Sequence, residues 1–243
     1  MSLFTWQTSI VKDIIDQTEN TRSYFLEVEG IENFQYVPGQ FVSLDLPIAE
    51  RPSQRLRSYS IASSPDGSNI FELLVSHKKD GRGSSYLFNE VGVGSEIKFR
   101  GPQGVFVLPP TLERDIMMIC TGTGIAPFRS QINDLFNHTN PSVQIHLIFG
   151  TRIFKDVLYY HELTELASNH PNFHYHVVLS RDHPENWNGR KGYVHSVYEE
   201  ISEHGKNDFD FYLCGWRNMI TEARERIATM GYPKERVHLE SYD

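Results

Sequence analysis

The sequence predicts two domains: an antiparallel β-barrel over residues 1–110, followed by a Rossmann-like α/β domain with a parallel sheet over residues 111–243. The pattern of apolar residues changes once, near residues 109–115. Before this point, short strand-like runs are separated by Gly, Pro and Asn turns; after it, such runs alternate with helical stretches. Pro109 and Pro110 mark the linker. A chain of 243 residues can form two domains that each bury a core.

The predicted barrel strands are short and cover residues 23–28, 40–46, 70–75 and 96–99. One helix is predicted to interrupt them over residues 84–91, with Ser84 as its N-cap. The free N–H groups at the start of a helix favour an anion, so this segment is a candidate phosphate site.

The second half alternates strands over residues 116–120, 143–149, 173–179, 209–213 and 237–239 with helices over residues 127–137, 157–169, 194–203 and 217–230. This alternation predicts a parallel sheet with crossover helices. Ligands of such sheets bind outside the carboxyl ends of the strands. Thr121, Gly150, Ser180 and Cys214 fall at those ends and are expected to converge.

A glycine turn follows the first strand of the second half. Gly122-Thr123-Gly124 comes directly after an apolar run, and Pro127 stands where a helix would begin. A strand, a glycine turn and a helix N-terminus form a phosphate cradle. Pro127 occupies the place of the third glycine in the dinucleotide fingerprint G-x-G-x-x-G, so the motif alone is also compatible with an ordinary tight turn.

A second motif, Arg57-x-Tyr59-Ser60, lies in a predicted strand that puts Arg57 and Tyr59 on one face and Ser60 on the other. An arginine fork can hold a phosphate, a tyrosine can lie against a planar ring, and a serine hydroxyl can bind a ring nitrogen. The three suit a flavin nucleotide. The alternative is an edge strand with a solvated arginine and a packed tyrosine.

In this order, the two motifs resemble those of the ferredoxin–NADP(H) reductase superfamily, in which a flavin-binding antiparallel barrel carries R-x-Y-S and a nucleotide-binding α/β domain carries G-T-G-x-A-P. Four further segments resemble motifs of the same family: the flavin-pyrophosphate loop, the barrel-closing turn, the C-G segment and the C-terminal Glu-x-aromatic. They are Gly81–Ser84, Gly101–Gly104, Tyr212–Gly215 and Glu240–Tyr242.

The resemblance implies four catalytic residues. Ser60 would lie on the side of flavin N5, and Cys214 on the side of nicotinamide C4. Glu240 would orient the nicotinamide or relay protons with Ser60. Tyr242 would cover the flavin face that the nicotinamide must occupy, with Tyr59 on the opposite face. Without the resemblance, Cys214 would be interpreted as a buried strand-end thiol, and Glu240 and Tyr242 as solvated residues near a chain end.

The cofactor-binding residues implied by the resemblance come from the matching motifs. They are Arg57, Ser58, Tyr59, Ser60, Val75, Gly81, Arg82, Gly83, Ser84, Thr121, Gly122, Thr123, Gly124, Ala126, Pro127, Arg152, Ser180, Arg181, Arg190, Cys214, Gly215 and Tyr242.

FAD is expected rather than FMN, because Arg57 and the Gly81–Ser84 loop suit a pyrophosphate better than a single phosphate. NADP is favoured and NAD is possible. The resemblance places Ser180, Arg181 and Arg190 near a 2′-phosphate, and Arg152 adds a cation; Asp182 is an unfavourable neighbour. The reaction requires a dihydronicotinamide C4 about 3 to 3.5 Å from flavin N5 and no strong acid or base.

The composition excludes several other classes. A net charge of −8 is unlike a nucleic-acid-binding protein. No apolar run approaches the roughly 20 residues of a membrane span, and the N-terminus lacks the features of a signal peptide, so we expect a cytoplasmic protein, and a monomer. The two cysteines, Cys120 and Cys214, are too few for a [2Fe–2S] centre, which takes about four thiolates. No metal site is predicted, and single electrons must go to a separate partner.

Three functions remain open from the sequence. The first is an NADPH-dependent flavoenzyme that exchanges single electrons with a ferredoxin or flavodoxin. The second is an NADH-dependent reductase component of an oxygenase, or a free-flavin reductase. The third is a non-catalytic flavin-binding electron-transfer subunit. An acidic ferredoxin would need a local basic surface, for which the candidates are Arg51, Arg55, Lys78, Lys79 and Arg82.

Overall fold

The computed structural model describes residues 5–139 and 141–242, which group into two compact units. The first unit runs to Leu108 and also includes Ala126–His138. The second comprises Pro109–Ile125 and the chain from Thr139 onward. Ala126–His138 therefore interrupts the second unit in sequence but belongs to the first unit by its contacts.

The first unit is built on an antiparallel sheet of β1 (Gln7–Thr18), β2 (Thr21–Val28), β3 (Phe41–Asp45), β4 (Leu56–Ser60), β5 (Ile70–Ser76) and β6 (Glu96–Gln103). The order is β4-β3-β6-β1-β2-β5. Its two edge strands meet just beyond β4, where Ile61 forms a bridge with Leu73 and the Ala62 N–H donates to the Glu72 carbonyl over 2.8 Å. This contact closes the sheet into a barrel, and the predicted antiparallel barrel is confirmed.

The longest barrel strand, β1, was not predicted from the sequence. Its pairing with β2 shifts register between Val11 and Asp13 and again between Asp16 and Thr18. Each shift moves the following side chains to the opposite face of the sheet. The apolar residues of β1 therefore do not alternate along the strand, and the pattern that identifies a half-buried strand is lost.

The barrel interior is filled by aromatic and aliphatic side chains. Phe34, Phe71 and Phe99 are 3% exposed or less, and the Phe71 ring centroid lies 4.9 Å from that of Phe34 and 5.3 Å from that of Phe99. Burying a side chain of this size stabilises the fold by roughly 1.5–3 kcal/mol. Val42 and Leu44 of β3 complete this core beneath the neighbouring strand β4.

The helix of the barrel, α1 (Arg82–Glu90), begins two residues before the predicted start. Gly81, in extended conformation, is the N-cap, and Ser84 lies inside the first turn. The Ser84 hydroxyl accepts the Lys78 N–H over 3.0 Å and lies 3.1 Å from the Gly81 carbonyl oxygen. Ser84 was therefore wrongly predicted as the N-cap, because its side chain binds the loop that precedes the helix.

The segment predicted as a barrel-closing turn, Gly101–Gly104, is largely strand. Gly101 to Gln103 form the last residues of β6, and Gln103 pairs with Phe41 of β3. Gly101 and Gly104 have φ values of +143° and +109°, and such values read as turn signals in a sequence. Here they bend a strand that continues to pair.

Helix α2 (Ile125–His138) is fastened to the barrel by a buried ion pair. Arg129 Nη1 lies 2.6 Å from Glu72 Oε2 and also donates to the Ala62 carbonyl over 2.9 Å. The Ser23 hydroxyl donates to the other Glu72 oxygen over 2.5 Å. At the next residue of the same helix, the Ser130 hydroxyl donates to the Ser63 carbonyl over 2.5 Å, so consecutive residues of α2 bind the chain where the barrel closes.

The second unit contains a parallel sheet of β7 (Asp115–Thr121), β8 (Ile145–Thr151), β9 (Phe173–Leu179), β10 (Arg190–Lys191), β11 (Phe209–Trp216) and β12 (Val237–Tyr242). The order is β10-β9-β8-β7-β11-β12, and the connecting helices include α3 (Tyr160–Asn169), α4 (Val194–Ile201) and α5 (Arg217–Thr229). The predicted parallel sheet with crossover helices is confirmed. The two-residue strand β10 was missed because it is too short to show a pattern.

Two further helices, besides α1, start elsewhere than predicted. The glycine turn Gly122–Gly124 is a 3₁₀ turn that continues directly into α2, so Pro127 is the third residue of that helix rather than the first. Its missing N–H still falls in the first turn, where no intrahelical partner exists. Helix α3 starts three residues late, because Phe154–Asp156 forms a separate 3₁₀ turn and Tyr159 has a left-handed φ of +53°. No helix in the described ranges is long and apolar enough to cross a bilayer.

Three histidines stack across β8 and β9. His146 and His174 have ring centroids 4.5 Å apart, and His146 Nδ1 and His176 Nε2 lie within hydrogen-bond distance at 3.2 Å. Burial, and then the charges of the other two histidines, lower the pKa of His146 to about 3. Burial, and then the charge of Arg190, lower the pKa of His176 to about 4. Both rings are therefore neutral in the folded protein near pH 7.

We predict that replacing Glu72 with Gln lowers the unfolding free energy by about 3 kcal/mol, because Arg129, whose side chain is only 16% exposed, loses its counter-charge. Urea unfolding measures this loss. Glu27→Gln is the control, since Glu27 pairs with Lys12 at the surface over 3.1 Å and such pairs contribute about 1 kcal/mol or less. The double variant Glu72→Met with Arg129→Met should recover most of the stability. Equal, small losses in both single variants would contradict a structural role for the buried pair.

We also predict that the unfolding free energy falls as the pH drops from about 6.5 towards about 4. The unfolded chain binds protons on His146 and His176 in this range, whereas the folded chain does not, so protonation favours unfolding. Each histidine contributes a slope of about 1.4 kcal/mol per pH unit. His146→Asn should remove about one proton from the measured slope, and His161→Gln, at an exposed position, should not. Parallel slopes for wild type and His146→Asn would disprove the assignment.

Candidate functional site

In the first unit, Arg57 lies against the start of helix α1. A Cβ placed on Gly83 would stand 2.8 Å from Arg57 Cγ and 3.0 Å from Arg57 Nε, so only glycine leaves room for the arginine side chain here. Arg57 Nη1 donates to the carbonyls of Gln54 and Leu56 over 3.1 and 2.7 Å, which fixes the plane of the guanidinium. The sequence motif and the glycine loop are thus brought together.

This arrangement fits a phosphate-bearing cofactor. The N-cap Gly81 makes no side-chain cap, so the first-turn N–H groups of α1 are available to an anion. The helix dipole and the Arg57 charge act at the same place, and the absence of a Cβ on Gly83 lets a ligand approach the backbone. A cation beside an uncapped helix N-terminus suits the pyrophosphate of FAD. Arg82 is exposed at the first position of the helix.

The rest of the predicted flavin motif lies on β4 and β5. Tyr59 packs partly against the barrel core, and burial raises the pKa of its hydroxyl. Ser60 is buried, whereas Ser58 is exposed with its hydroxyl 3.0 Å from that of Ser43. Val75 is 2% exposed and forms part of the core. The strand therefore presents Arg57 and Tyr59 on the face opposite Ser58 and Ser60, as the alternation predicts.

In the second unit, the glycine turn after β7 lies against the end of β11. A Cβ on Gly124 would collide with the Cys214 carbonyl, and a Cβ on Gly215 would stand 2.6 Å from Thr121 Oγ1. Gly215 also has a φ of +133°, which side chains rarely adopt. The Trp216 N–H donates to Thr121 Oγ1 over 3.4 Å. These two glycines and Thr121 therefore define how closely the turn and the strand approach.

The remaining members of the predicted nucleotide loop differ in accessibility. Gly122 and Thr123 are partly exposed, whereas Ala126 and Pro127 are buried in the first turn of α2. Gly122 has a φ of +54° and nothing within 4 Å of its Cβ direction, so this residue is needed for its conformation rather than for room.

The end of β11 brings together three of the four predicted catalytic residues. In the register of β11 with β12, Cys214 lies opposite Glu240 and Trp216 lies opposite Tyr242. Cys214 is fully buried; burial, and then the Glu240 charge, raise the pKa of its thiol well above the usual value, against the effect of a hydrogen bond with Tyr242. The thiol is therefore neutral near pH 7. Ser60 belongs to the first unit, and Asp243 lies outside the described residues.

The predicted cations near the adenosine ribose fall into two groups. Arg152 and Arg181 are exposed just beyond β8 and β9, and the Arg181 N–H donates to the Arg152 carbonyl over 3.0 Å. Ser180 continues the same pairing, with its N–H donating to Thr151 over 3.0 Å. Arg190 instead makes two hydrogen bonds with the carboxylate of Glu200, over 2.6 and 2.7 Å.

Neither the contact of Glu200 with Arg190 nor the contact of Thr121 with the end of β11 was predicted from the sequence. Arg190 and Glu200 are ten residues apart in the sequence, and they meet because of the turn that connects β10 to α4. Trp216, which directly follows Gly215 and is exposed, was not among the predicted site residues either. Among the five proposed surface cations, Arg55 is bound by Asp45 over 2.7 Å, whereas Arg51, Lys78, Lys79 and Arg82 are exposed. In the part of the chain that the structure describes, no three His, Cys, Asp or Glu side chains are placed to hold a metal ion.

Two family models match this chain, one to each half. Residues 9–108 match the oxidoreductase FAD-binding domain, and residues 118–225 match the oxidoreductase NAD-binding domain. The matched segments contain the Arg57 motif with its glycine loop and the glycine turn with the β11 end, respectively.

Relatives of known function match most of the chain. Ferredoxin–NADP reductase B of Sorangium cellulosum is 34% identical over 216 residues, which is 86% of this chain and 86% of that protein. NADH-cytochrome b5 reductase 1 of Aspergillus fumigatus is 32% identical over 240 residues, covering 95% of this chain and 76% of that protein. Among solved structures, the Amycolatopsis cytochrome P450 reductase GcoB has a TM-score of 0.86 and 28% identity, over 98% of this chain and 69% of that one.

These matches agree with a candidate phosphate cradle in the first unit and with a glycine turn at the carboxyl end of β7 in the second. The chain therefore belongs to the ferredoxin reductase-like superfamily of flavoprotein oxidoreductases, which use FAD and NAD(P)H in electron transfer.

Proposed function

We propose that this protein is an FAD-dependent reductase that takes a hydride from NADPH and passes electrons one at a time to a separate carrier, a ferredoxin or a flavodoxin. The observation that carries the proposal is the cradle of Arg57, Gly83 and the uncapped start of α1, which has the charge and the room for a dinucleotide pyrophosphate. Similarity to ferredoxin–NADP reductase B over 86% of the chain supports both the nucleotide and the carrier.

Bound FAD would accept two electrons as hydride and release them singly, which is chemistry that the cofactor itself supplies. The protein residues hold and orient the reactants. Arg57 and the first N–H groups of α1 neutralise the pyrophosphate, and the ring of Tyr59 offers a flat surface to the flavin. Thr121, Gly124 and Gly215 hold the glycine turn close to β11, which leaves the backbone accessible to a nucleotide.

No residue of the β11 end acts as a strong acid or base in this proposal. The Cys214 thiol is neutral and offers a small, weakly polar surface to an uncharged dihydronicotinamide. The Glu240 carboxylate, opposite Cys214 in register, can accept a hydrogen bond from the nicotinamide amide. Both cysteines are buried in strands, and a [2Fe–2S] cluster takes about four thiolates, so Cys120 and Cys214 do not hold such a cluster.

A second candidate is an NADH-dependent reductase for a cytochrome or an oxygenase. Two observations favour it: the Arg190 guanidinium is paired with Glu200, and the chain is 32% identical to NADH-cytochrome b5 reductase 1 over 95% of its length. With Arg190 paired, fewer cations remain for a 2′-phosphate. The two candidates share the flavin cradle and differ in nucleotide and acceptor.

Stopped-flow reduction of the FAD-loaded protein tests the proposal. We expect NADPH to bleach the flavin absorbance faster than NADH at equal concentration, and the reduced protein to transfer electrons to ferredoxin or flavodoxin faster than to cytochrome b5 or free FMN. Faster reduction by NADH, with transfer to cytochrome b5, would favour the second candidate. Absence of bleaching by either nucleotide would leave only a non-catalytic flavin-binding role.

We predict that Gly83→Ala weakens FAD binding by roughly tenfold or more, because the new Cβ displaces Arg57 and a charge-assisted contact to phosphate contributes about 1.5–3 kcal/mol. Alanine in a helix is itself favourable by roughly 0.5–1 kcal/mol relative to glycine. The apoprotein should therefore unfold at an equal or higher urea concentration, while FAD titration shows weaker binding.

Gly92→Ala is the matched control, because nothing lies within 4 Å of its Cβ direction and its φ is not in the left-handed region. This variant should bind FAD like the wild type. Undiminished FAD affinity in Gly83→Ala would show that the cradle does not hold the cofactor.

A further inference from the structure

Glu200 lies on α4, the helix that follows β10, and makes a bidentate contact with Arg190, one of the predicted nucleotide cations. Both Arg190 terminal nitrogens donate to the Glu200 carboxylate, Nη1 to Oε2 over 2.6 Å and Nη2 to Oε1 over 2.7 Å. This bidentate geometry uses the same fork of the guanidinium that would bind a phosphate. While the pair is intact, the two nitrogens best suited to a phosphate are occupied.

The pair also directs the Arg190 guanidinium away from the carboxyl ends of the strands, where ligands of parallel sheets bind. Arg190 is opposite Val178 in the register of β10 with β9. The charges of Arg190 and Glu200 both act on His176, which precedes Val178 in β9. Arg181, in contrast, follows the carboxyl end of β9. Glu200 is the penultimate residue of α4, the crossover helix that follows β10 and returns along the sheet, so the guanidinium that it binds is held back beside His176, whereas Arg181 lies beyond the carboxyl end of β9.

Arg152 and Arg181, unlike Arg190, are not held by a carboxylate in the part of the chain that the structure describes. Both are exposed next to the carboxyl ends of β8 and β9, and their backbones are joined by the Arg181 N–H to Arg152 carbonyl bond. Within residues 5–139 and 141–242, neither makes a salt bridge in this structure. Arg152 and Arg181 are thus exposed at the carboxyl ends of the strands, whereas Arg190 is bound by Glu200.

On the basis of the function proposed above, we propose that Glu200 limits the preference for NADPH by holding Arg190 away from the 2′-phosphate of a bound nucleotide. Glu200 is a positioning residue: it acts through Arg190 and touches no reactant. Loss of the Glu200 charge releases the Arg190 side chain to turn towards the carboxyl ends of the strands. There it adds a third cation beside Arg152 and Arg181. Nucleotides that carry a 2′-phosphate gain from this release, and those with a free 2′-hydroxyl do not.

The size of the effect is limited by the strength of the pair. The side chains of Arg190 and Glu200 are 40% and 60% exposed, and exposed pairs are weak and sensitive to salt. A nucleotide that recruits Arg190 must first break this pair, and removal of Glu200 removes that cost. We therefore expect a gain of about threefold to fivefold in affinity at low salt, which decreases as the salt concentration rises.

Calorimetric titration of the FAD-loaded protein with adenosine 2′,5′-bisphosphate and with 5′-AMP tests the inference without turnover, because the two probes differ only in the 2′-phosphate. Glu200→Gln should bind the bisphosphate about threefold to fivefold more tightly than the wild type and bind 5′-AMP equally. Glu199→Gln is the matched control: Glu199 lies on the same helix and pairs with Arg226 over 3.0 Å. It should change neither affinity.

Arg190→Ala completes the cycle. It should cost more bisphosphate affinity in the Glu200→Gln background than in the wild type, and it should abolish the gain caused by Glu200→Gln. A gain that persists without Arg190, or an unchanged bisphosphate affinity in Glu200→Gln with 5′-AMP still bound, overturns the inference alone. Failure of every variant and the wild type to bind either probe overturns the nucleotide site of the proposed function, and this inference with it.

Discussion

The buried ion pair between Arg129 and Glu72 is the interaction on which the first unit most depends. Glu72 is 2% exposed, and a carboxylate at this depth requires a counter-charge. The same arginine also binds the carbonyl of Ala62, whose N–H closes the barrel against β5. Any arrangement that moved α2 away, or opened the barrel at Ala62, would strand a charge in the interior. The pair therefore specifies where the helix sits more than it adds net stability.

Glycine provides room for a close approach at three of the candidate cofactor positions, Gly83, Gly124 and Gly215. Gly83 leaves space for the Arg57 stem, and Gly124 and Gly215 let the first turn after β7 approach the end of β11. In each case an added methyl group would meet atoms that are fixed by their own hydrogen bonds or backbone. In both units, a missing Cβ thus lets a polar group of the protein come close to a stretch of backbone at a candidate cofactor position.

The sequence predicted what depends on local periodicity and on short motifs. The parallel strand β9 was located to the residue, and the Arg57 motif and the glycine turn both lie where a phosphate could bind. Features that depend on distant partners were missed. The bulges of β1 obscured its alternation, and the side chain of Ser84 binds Lys78 instead of capping α1. The predicted cation Arg190 is bound by Glu200, because the turn from β10 into α4 brings them together.

The two cysteines of this chain are adjacent in space, since Cys120 and Cys214 are register partners in β7 and β11, and both are fully buried. Burial raises the pKa of each thiol well above its ordinary value, so almost none of either is in the thiolate form near neutral pH. Peroxide and electrophiles react with the thiolate and need access to the sulfur. Both sulfurs are therefore shielded from oxidants and electrophiles for as long as the protein stays folded.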